Sequence, residues 1–220
     1  GVFNQTEELA IVATDTLNVK MIADENISYN SELRKRYYPE TVYDGDVKKI
    51  YSNRINVDVK ATDKETAYVK VRKESQGKNR LNANENAEVI EYVFKLNDKN
   101  LNLNGYFLSD FEQQLKSQSI DIDIYLPVGV TIYLDKNTRT FLDDVDNVQD
   151  IHDRDMPTNY FIMTEKGLEC TNCDSKIFKN DSFKDEEFQL KINGDGLELK
   201  VKDGDNNAEV KINGEGMSIQ

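Results

Sequence analysis

Ile120-Asp121-Ile122-Asp123-Ile124-Tyr125-Leu126-Pro127-Val128-Gly129-Val130-Thr131-Ile132-Tyr133-Leu134 is the stretch whose reading decides the fold. Apolar side chains stand at every second position, which in an extended chain puts them all on one face. Pro127-Val128-Gly129 interrupts the alternation with turn chemistry, after which Val130, Ile132 and Leu134 resume it. The period is therefore two, the signature of half-buried strands rather than of a helix.

The same grammar spreads outward. Ile55, Val57 and Val59 alternate with polar residues, Thr62-Asp63-Lys64-Glu65 reads as a turn, and Ala67, Val69 and Val71 follow in step. Near the amino terminus Leu9, Ile11 and Ala13 precede Leu17, Val19 and Met21. At the other end Lys191-Ile192-Asn193-Gly194-Asp195-Gly196-Leu197-Glu198-Leu199 returns as Lys211-Ile212-Asn213-Gly214-Glu215-Gly216-Met217-Ser218-Ile219. This internal repeat suits one coil of a β-solenoid, although two hairpins of an antiparallel sheet produce the same pattern. The expected class is all-β: a stacked-strand, β-solenoid-like domain resembling a right-handed β-helix, with a β-sandwich as the alternative. Short helices are expected over 109–117, where Ser109-Asp110-Phe111-Glu112 has the form of a capping box, and near 30–37 and 137–142. Residues 1–53 read as amino-terminal strands and a polar, Tyr-rich segment packed on the same domain, and 54–220 as the stacked β domain. Within it 135–158 is a long loop held over the core by Phe141, Leu142, Val145, Val148, Ile151 and Met156.

The chain has 220 residues with 28 Lys and Arg against 41 Asp and Glu, a net charge of -13. That length is enough to bury a core without staples, and 38% hydrophobic residues in short alternating runs point to a folded domain. The negative charge repels phosphate backbones, so no nucleic-acid partner is expected. No run of about 18 apolar residues is present, so this segment is not expected to insert into a membrane by itself. The opening Gly1-Val2-Phe3-Asn4, with no initiating Met, reads as the start of a piece of a longer precursor.

Chemistry is sparse. Cys170-Thr171-Asn172-Cys173 places two thiols three positions apart, a spacing compatible with a small disulfide, a metal site or a redox pair. Zinc needs four ligands, while the chain has only these two cysteines and His152. Glu169 and Asp174 flank the motif and oppose thiolate formation. A structural role is therefore favoured, and Cys170 and Cys173 stand as the sole metal candidates, with no metal or other cofactor expected. The acidic run containing Asp143, Asp144, Asp146, Asp150, Asp153 and Asp155 lacks EF-hand spacing and reads as a solvated face. With one imidazole and no nucleophile elbow, no enzyme activity is expected. Tyr37, Tyr38, Tyr43 and Tyr51 cluster with Pro39, and exposed tyrosines make a binding surface; the bland reading is that they cap the end of the strand stack. Tyr37, Tyr38, Tyr43, Asp144 and Asp146 are accordingly the candidate interaction residues.

Between Tyr106 and Cys173 the motifs Ile120 to Val130, Asp144-Val145-Asp146-Asn147-Val148-Gln149-Asp150-Ile151, Asp155-Met156, Met163-Thr164 and Gly167 to Cys173 resemble the carboxyl-terminal region of Bacteroidetes proteins that begin with a phage shock protein C (PspC) domain. In that family transmembrane helices precede a strand-stacked domain called Toast-rack, related to adhesin-like β-solenoids. The resemblance implies a parent anchored in the inner membrane and taking part in the envelope stress response, with this portion lying in the periplasm. It implies a sensing or interaction role with protein partners or a second copy, or alternatively an adhesin-like module binding carbohydrate or surface ligands. It supplies no catalytic residues.

Overall fold

The computed structural model describes residues 1–23, 38–113 and 117–179 and the four strands within 187–219. In chain order the strands are β1 (Val2–Val12), β2 (Thr16–Ile22), β3 (Glu40–Asp44), β4 (Val47–Ser52), β5 (Ile55–Ala61), β6 (Thr66–Glu74), β7 (Phe94–Asn97), β8 (Asn100–Asn104) and β9 (Phe107–Asp110). They continue as β10 (Ser119–Leu126), β11 (Thr131–Leu134), β12 (Tyr160–Thr164), β13 (Gly167–Cys170), β14 (Glu187–Asn193), β15 (Gly196–Asp203), β16 (Asn206–Asn213) and β17 (Gly216–Ile219). One α-helix is present among the described residues, α1 (Arg80–Glu88). The chain divides into two compact units, 1–148 with 152–173, and 149–151 with 174–220.

The first unit is sandwich-like. One sheet has the order β1-β6-β10-β5 and a larger one β13-β12-β11-β2-β8-β7, with β3-β4-β9 as a smaller third. The quoted stretch explains the layering, because β10 lies in the first sheet and β11 in the second, so Pro127-Val128-Gly129 carries the chain across the core. The link from β1 to β2 makes the same crossing. The two crossings meet: Thr14 N–H donates to the Gly129 carbonyl at 3.0 Å, and Thr131 N–H to that of Asp15 at 2.9 Å. Gly129 has φ +94°, and a Cβ there would stand 3.4 Å from the Ala13 methyl, so glycine serves both the backbone angle and the close approach.

Alternation sets the core. Ile55, Val57, Val69, Val71, Ile120, Ile122 and Ile124 of the first sheet are essentially inaccessible, as are Leu17, Val19, Leu101, Leu103, Ile132, Leu134 and Phe161 of the second. At roughly 1.5–3 kcal/mol for each fully buried aliphatic side chain, these inner faces dominate the stability of the unit. Lys73 is the exception on an inner face: its ammonium is buried, donates to the Ile90 carbonyl at 2.7 Å, and burial draws its pKa down.

Several expectations are corrected. Although β5 and β6 are joined by the short turn after Ala61, β10 lies between them, parallel to β5 and antiparallel to β6. Thr62 N–H donates to the Leu126 carbonyl at 3.0 Å, so the turn straddles the end of β10. In the second unit the 20-residue repeat is two hairpins: β14 and β16 both pair antiparallel with β15, and β17 pairs with β16. Copies that flank a common antiparallel strand are not stacked coils, and the sheets are neither closed nor solenoidal. All-β holds; the solenoid reading yields to the sandwich.

The helix expectations fare similarly. Over 109–117, Ser109 and Asp110 belong to β9, a 3-10 turn follows at Phe111–Gln113, and 114–116 lie outside the described residues. The Ser109 hydroxyl is fully buried and donates to Gln118 Oε1 at 2.6 Å, so it is no helix cap. Near 137–142 a single 3-10 turn, Lys136–Thr138, is present, and 30–37 lies outside the described residues. Helix α1, which the alternation did not suggest, starts at an Asn79 cap whose side chain accepts the Asn82 N–H at 2.9 Å. Its buried residues are only Ala83, Asn86 and Ala87, too small and polar a set to show an apolar stripe.

Candidate functional site

The β3–β4 hairpin is built on a two-residue connection, Gly45-Asp46, with Asp44 opposite Val47 and Gly45 at φ +60°. Its base is anchored by β9, which pairs with β4 from Lys49 to Ser52. Tyr51 is buried and stacks on Tyr106 with ring centroids 5.3 Å apart, and Leu108 and Val42 complete a small cluster. Lys49 Nζ lies 2.7 Å from Glu91 and 3.0 Å from Asp110, and these hydrogen bonds, Glu91 first, hold its pKa above the usual lysine value against its burial. Lys48 Nζ sits 3.7 Å above the Phe111 ring. On this anchored base the far end of the hairpin presents Tyr43 at 66% and Val47 at 56% exposure, and Tyr38, just before β3, is 85% exposed. The tyrosine cluster is thus divided: Tyr51 serves packing, Tyr38 and Tyr43 face solvent, and Tyr37 lies outside the described residues.

The acidic loop covers strand edges. Val57 N–H of β5 donates to the Phe141 carbonyl at 2.8 Å, and Asp143 N–H donates to the Val57 carbonyl at 3.1 Å. Val148 N–H donates to Leu168 of β13 at 2.8 Å. The loop thus bridges each of these two outer strands at one point, Val57 of β5 and Leu168 of β13. Phe141, Leu142, Val145 and Met156 are buried, as their apolar character requires, whereas Val148 is half-buried. Asp153 ties the loop, its carboxylate accepting Asp144 N–H at 2.9 Å and Val145 N–H at 3.1 Å. Asp144, at φ +61°, and Asp146 are exposed. Among the described residues no hydrogen bond or ion pair joins them to Tyr38 or Tyr43, and no group of three or more His, Cys, Asp or Glu side chains is placed to hold a metal. His152 is exposed, and its Nδ1 accepts the Arg154 N–H at 3.2 Å.

Cys170 and Cys173 form a disulfide, with Cα atoms 5.8 Å apart. The paired sulfurs leave no thiolate for a metal. The loop they close presents Asn172, whose Oδ1 accepts the Tyr160 N–H at 2.8 Å.

The outer face of the first sheet carries a compensated charge ladder. Asp58 and Asp123 stand directly opposite each other, and Lys60 Nζ reaches both, at 3.2 and 2.7 Å. Burial opposes the Lys60 charge, but the hydrogen bonds to Asp123 and Asp58 outweigh it and raise its pKa. Burial raises the Asp58 pKa despite Lys60, whose shorter contact goes to Asp123. Arg72 pairs with Glu74 and, at 3.3 Å, with Asp121. Tyr68 and Tyr125 stack at 4.4 Å. Asp58, Asp121 and Asp123 are each paired with a cation within the face.

With this geometry in place, comparison with known proteins decides the family. The sequence matches the family described as ToastRack found in some PspC over residues 42–176, more than half of the chain. The chain belongs to that family. Its Toast-rack match takes in β4 to β13, the acidic loop and the disulfide. It begins inside β3, so β1 and β2 precede it, yet in this Toast-rack domain β2 lies between β11 and β8 in the middle of the second sheet. No curated protein and no solved structure matches the chain. Among the described residues no helix is long and apolar enough to cross a membrane, which says nothing of a β-barrel. Sequence reading missed two features: the exposed Val47 at the hairpin, and half-buried Tyr133 beside exposed Tyr160 on the second sheet. The polar members of an alternating strand were the available signal for the tyrosines, but which strands lie side by side was not in it.

Proposed function

We propose that this chain is a non-catalytic protein-interaction domain of a membrane-associated PspC-type parent, engaging its partner through the β3–β4 hairpin. The observation that carries the reading is the exposure of Tyr38, Tyr43 and Val47 on a hairpin whose base is fixed by the Tyr51–Tyr106 stack and the Lys49 ion pairs. Tyrosine supplies apolar area with a polar tip and little entropy to lose, the chemistry of interface anchors. A rigid base lowers the ordering cost of binding. Family membership supports a PspC-type parent, and the disulfide supports an oxidising, extracytoplasmic location, since such bonds do not persist among cytosolic thiols. The non-catalytic reading is supported by the single His152 being engaged as a turn cap.

The test is a photo-crosslinker at position 43 of the full-length parent in its own membrane. A discrete adduct that disappears when Val47→Ser and Tyr38→Ser are added supports the reading. No adduct, or one indifferent to those substitutions, ends it.

A further inference from the structure

The outer face of the second sheet carries one row whose chemistry differs from the charge ladder on the first. Register places Asn97 of β7 opposite Asn100 of β8, Asn100 opposite Asn18 of β2, Asn18 opposite Tyr133 of β11, and Tyr133 opposite Tyr160 of β12. These five residues form one straight row across five strands, on the face away from Leu101, Val19, Ile132 and Phe161. At about 4.8 Å per strand the row spans roughly 19 Å, the length of a short oligosaccharide. It carries no charge, in a chain of net charge -13 whose other main sheet shows Asp58, Asp121 and Asp123 outward.

The Tyr133 and Tyr160 rings lie 4.8 Å apart, inclined at 43°, and Tyr160 is 41% exposed. Among the described residues no protein group engages the side-chain amides of Asn18 and Asn97, and that of Asn100 makes only a 3.4 Å contact to the Asn97 carbonyl. The strand bearing Tyr160 is held at that end by Asn172 of the disulfide loop. The result is an aromatic pair at one end of a row of amides that the described residues leave unengaged or, at Asn100, weakly engaged.

We infer that this row is a binding face for a neutral glycan. A sugar ring offers an apolar C–H face, which stacks on tyrosine, and hydroxyls that both donate and accept, which the carboxamide matches with one group of each kind. A protein laid over the row would bury three amides, each needing its own backbone or side-chain partner, with no central apolar anchor besides the tyrosines. An anionic ligand would find no cation within the row; Lys20 and Lys95 stand one row away, beside Asn102. This activity is independent of the hairpin reading.

Affinity electrophoresis tests it, since the acidic chain migrates freely in native gels. Gels containing a soluble β-glucan, a glucomannan or dextran are compared with a gel lacking polysaccharide. Retardation is expected in at least one of the three. Tyr160→Ala and Asn97→Ala each raise the apparent dissociation constant at least tenfold, whereas Tyr160→Phe keeps the ring and stays within about twofold. Tyr43→Ala, on the hairpin, changes nothing, which separates the two readings. The three substituted positions are exposed, so the variants fold, as matched circular dichroism verifies. The inference is overturned by unretarded migration in all three gels, by retardation indifferent to Tyr160→Ala and Asn97→Ala, or by retardation in a polygalacturonate gel alone.

Discussion

The side-chain amide of Asn137 hydrogen-bonds both backbone groups of Met21: its Oδ1 accepts the Met21 N–H at 2.9 Å and its Nδ2 donates to the Met21 carbonyl at 2.8 Å. Strand β11 ends opposite Val19, and Asn137 takes the place its next peptide would have filled. One side chain thus extends a parallel ladder where the chain has already turned away. Asn137→Ala leaves two half-buried backbone groups unpaired and lowers stability by about 2 kcal/mol in urea denaturation. Asn137→Asp restores the acceptor alone and recovers less than half of that loss.

Lys60 separates two carboxylates that the parallel pairing of β5 and β10 forces into opposition. Lys60→Met leaves Asp58 facing Asp123 uncompensated, and the Asp58 pKa, already raised by burial, rises further. A carboxylate whose folded pKa exceeds its unfolded value binds its proton more tightly when folded, so stability falls as pH rises through the folded value. The variant is therefore less stable than the native chain at pH 7, and the difference shrinks as pH drops from 7 toward about 4. Denaturation midpoints across that range check it; a pH-independent gap refutes the coupling.

Tyr92 is buried with its hydroxyl unpartnered among the described residues, and burial raises the phenol pKa well above its usual value. Tyr92→Phe removes a polar atom that lost its water on folding and regained nothing. The substitution raises stability by about 1 kcal/mol. In the native protein the Tyr92 phenol resists ionisation in an ultraviolet titration, and Tyr92→Phe removes that resistant component.

The disulfide closes a four-residue loop, for which chain entropy accounts for about 2 kcal/mol. Cys170→Ser with Cys173→Ser lowers stability by no more than that, and dithiothreitol lowers the native chain by the same amount. Because the loop also positions Asn172 on Tyr160, amide resonances of Tyr160 and Thr171 shift in the reduced protein.

The legibility of the fold follows from which interactions are local. Alternation at Ile120, Ile122 and Ile124, or at Val57 and Val59, assigned strands and inner faces correctly because successive side chains of an extended chain must point to opposite sides. Burial of Phe141, Leu142, Val145 and Met156 was equally legible from their apolar character. The exposed Tyr38 and Tyr43 could be nominated, but not told apart from the buried Tyr51, because that depends on Tyr106 arriving beside it. Helix α1 escaped notice because its small buried face leaves no stripe.

What the sequence determined by itself was the class, the strands and the side each strand would bury, all properties of neighbouring residues. Tertiary structure alone decided that β10 separates β5 from β6, that the terminal repeat is hairpins, and that Asn97, Asn100, Asn18, Tyr133 and Tyr160 form one row. Period two specifies a face but carries no address for the neighbouring strand; that choice is made within each compact unit, where its strands compete for the same buried area.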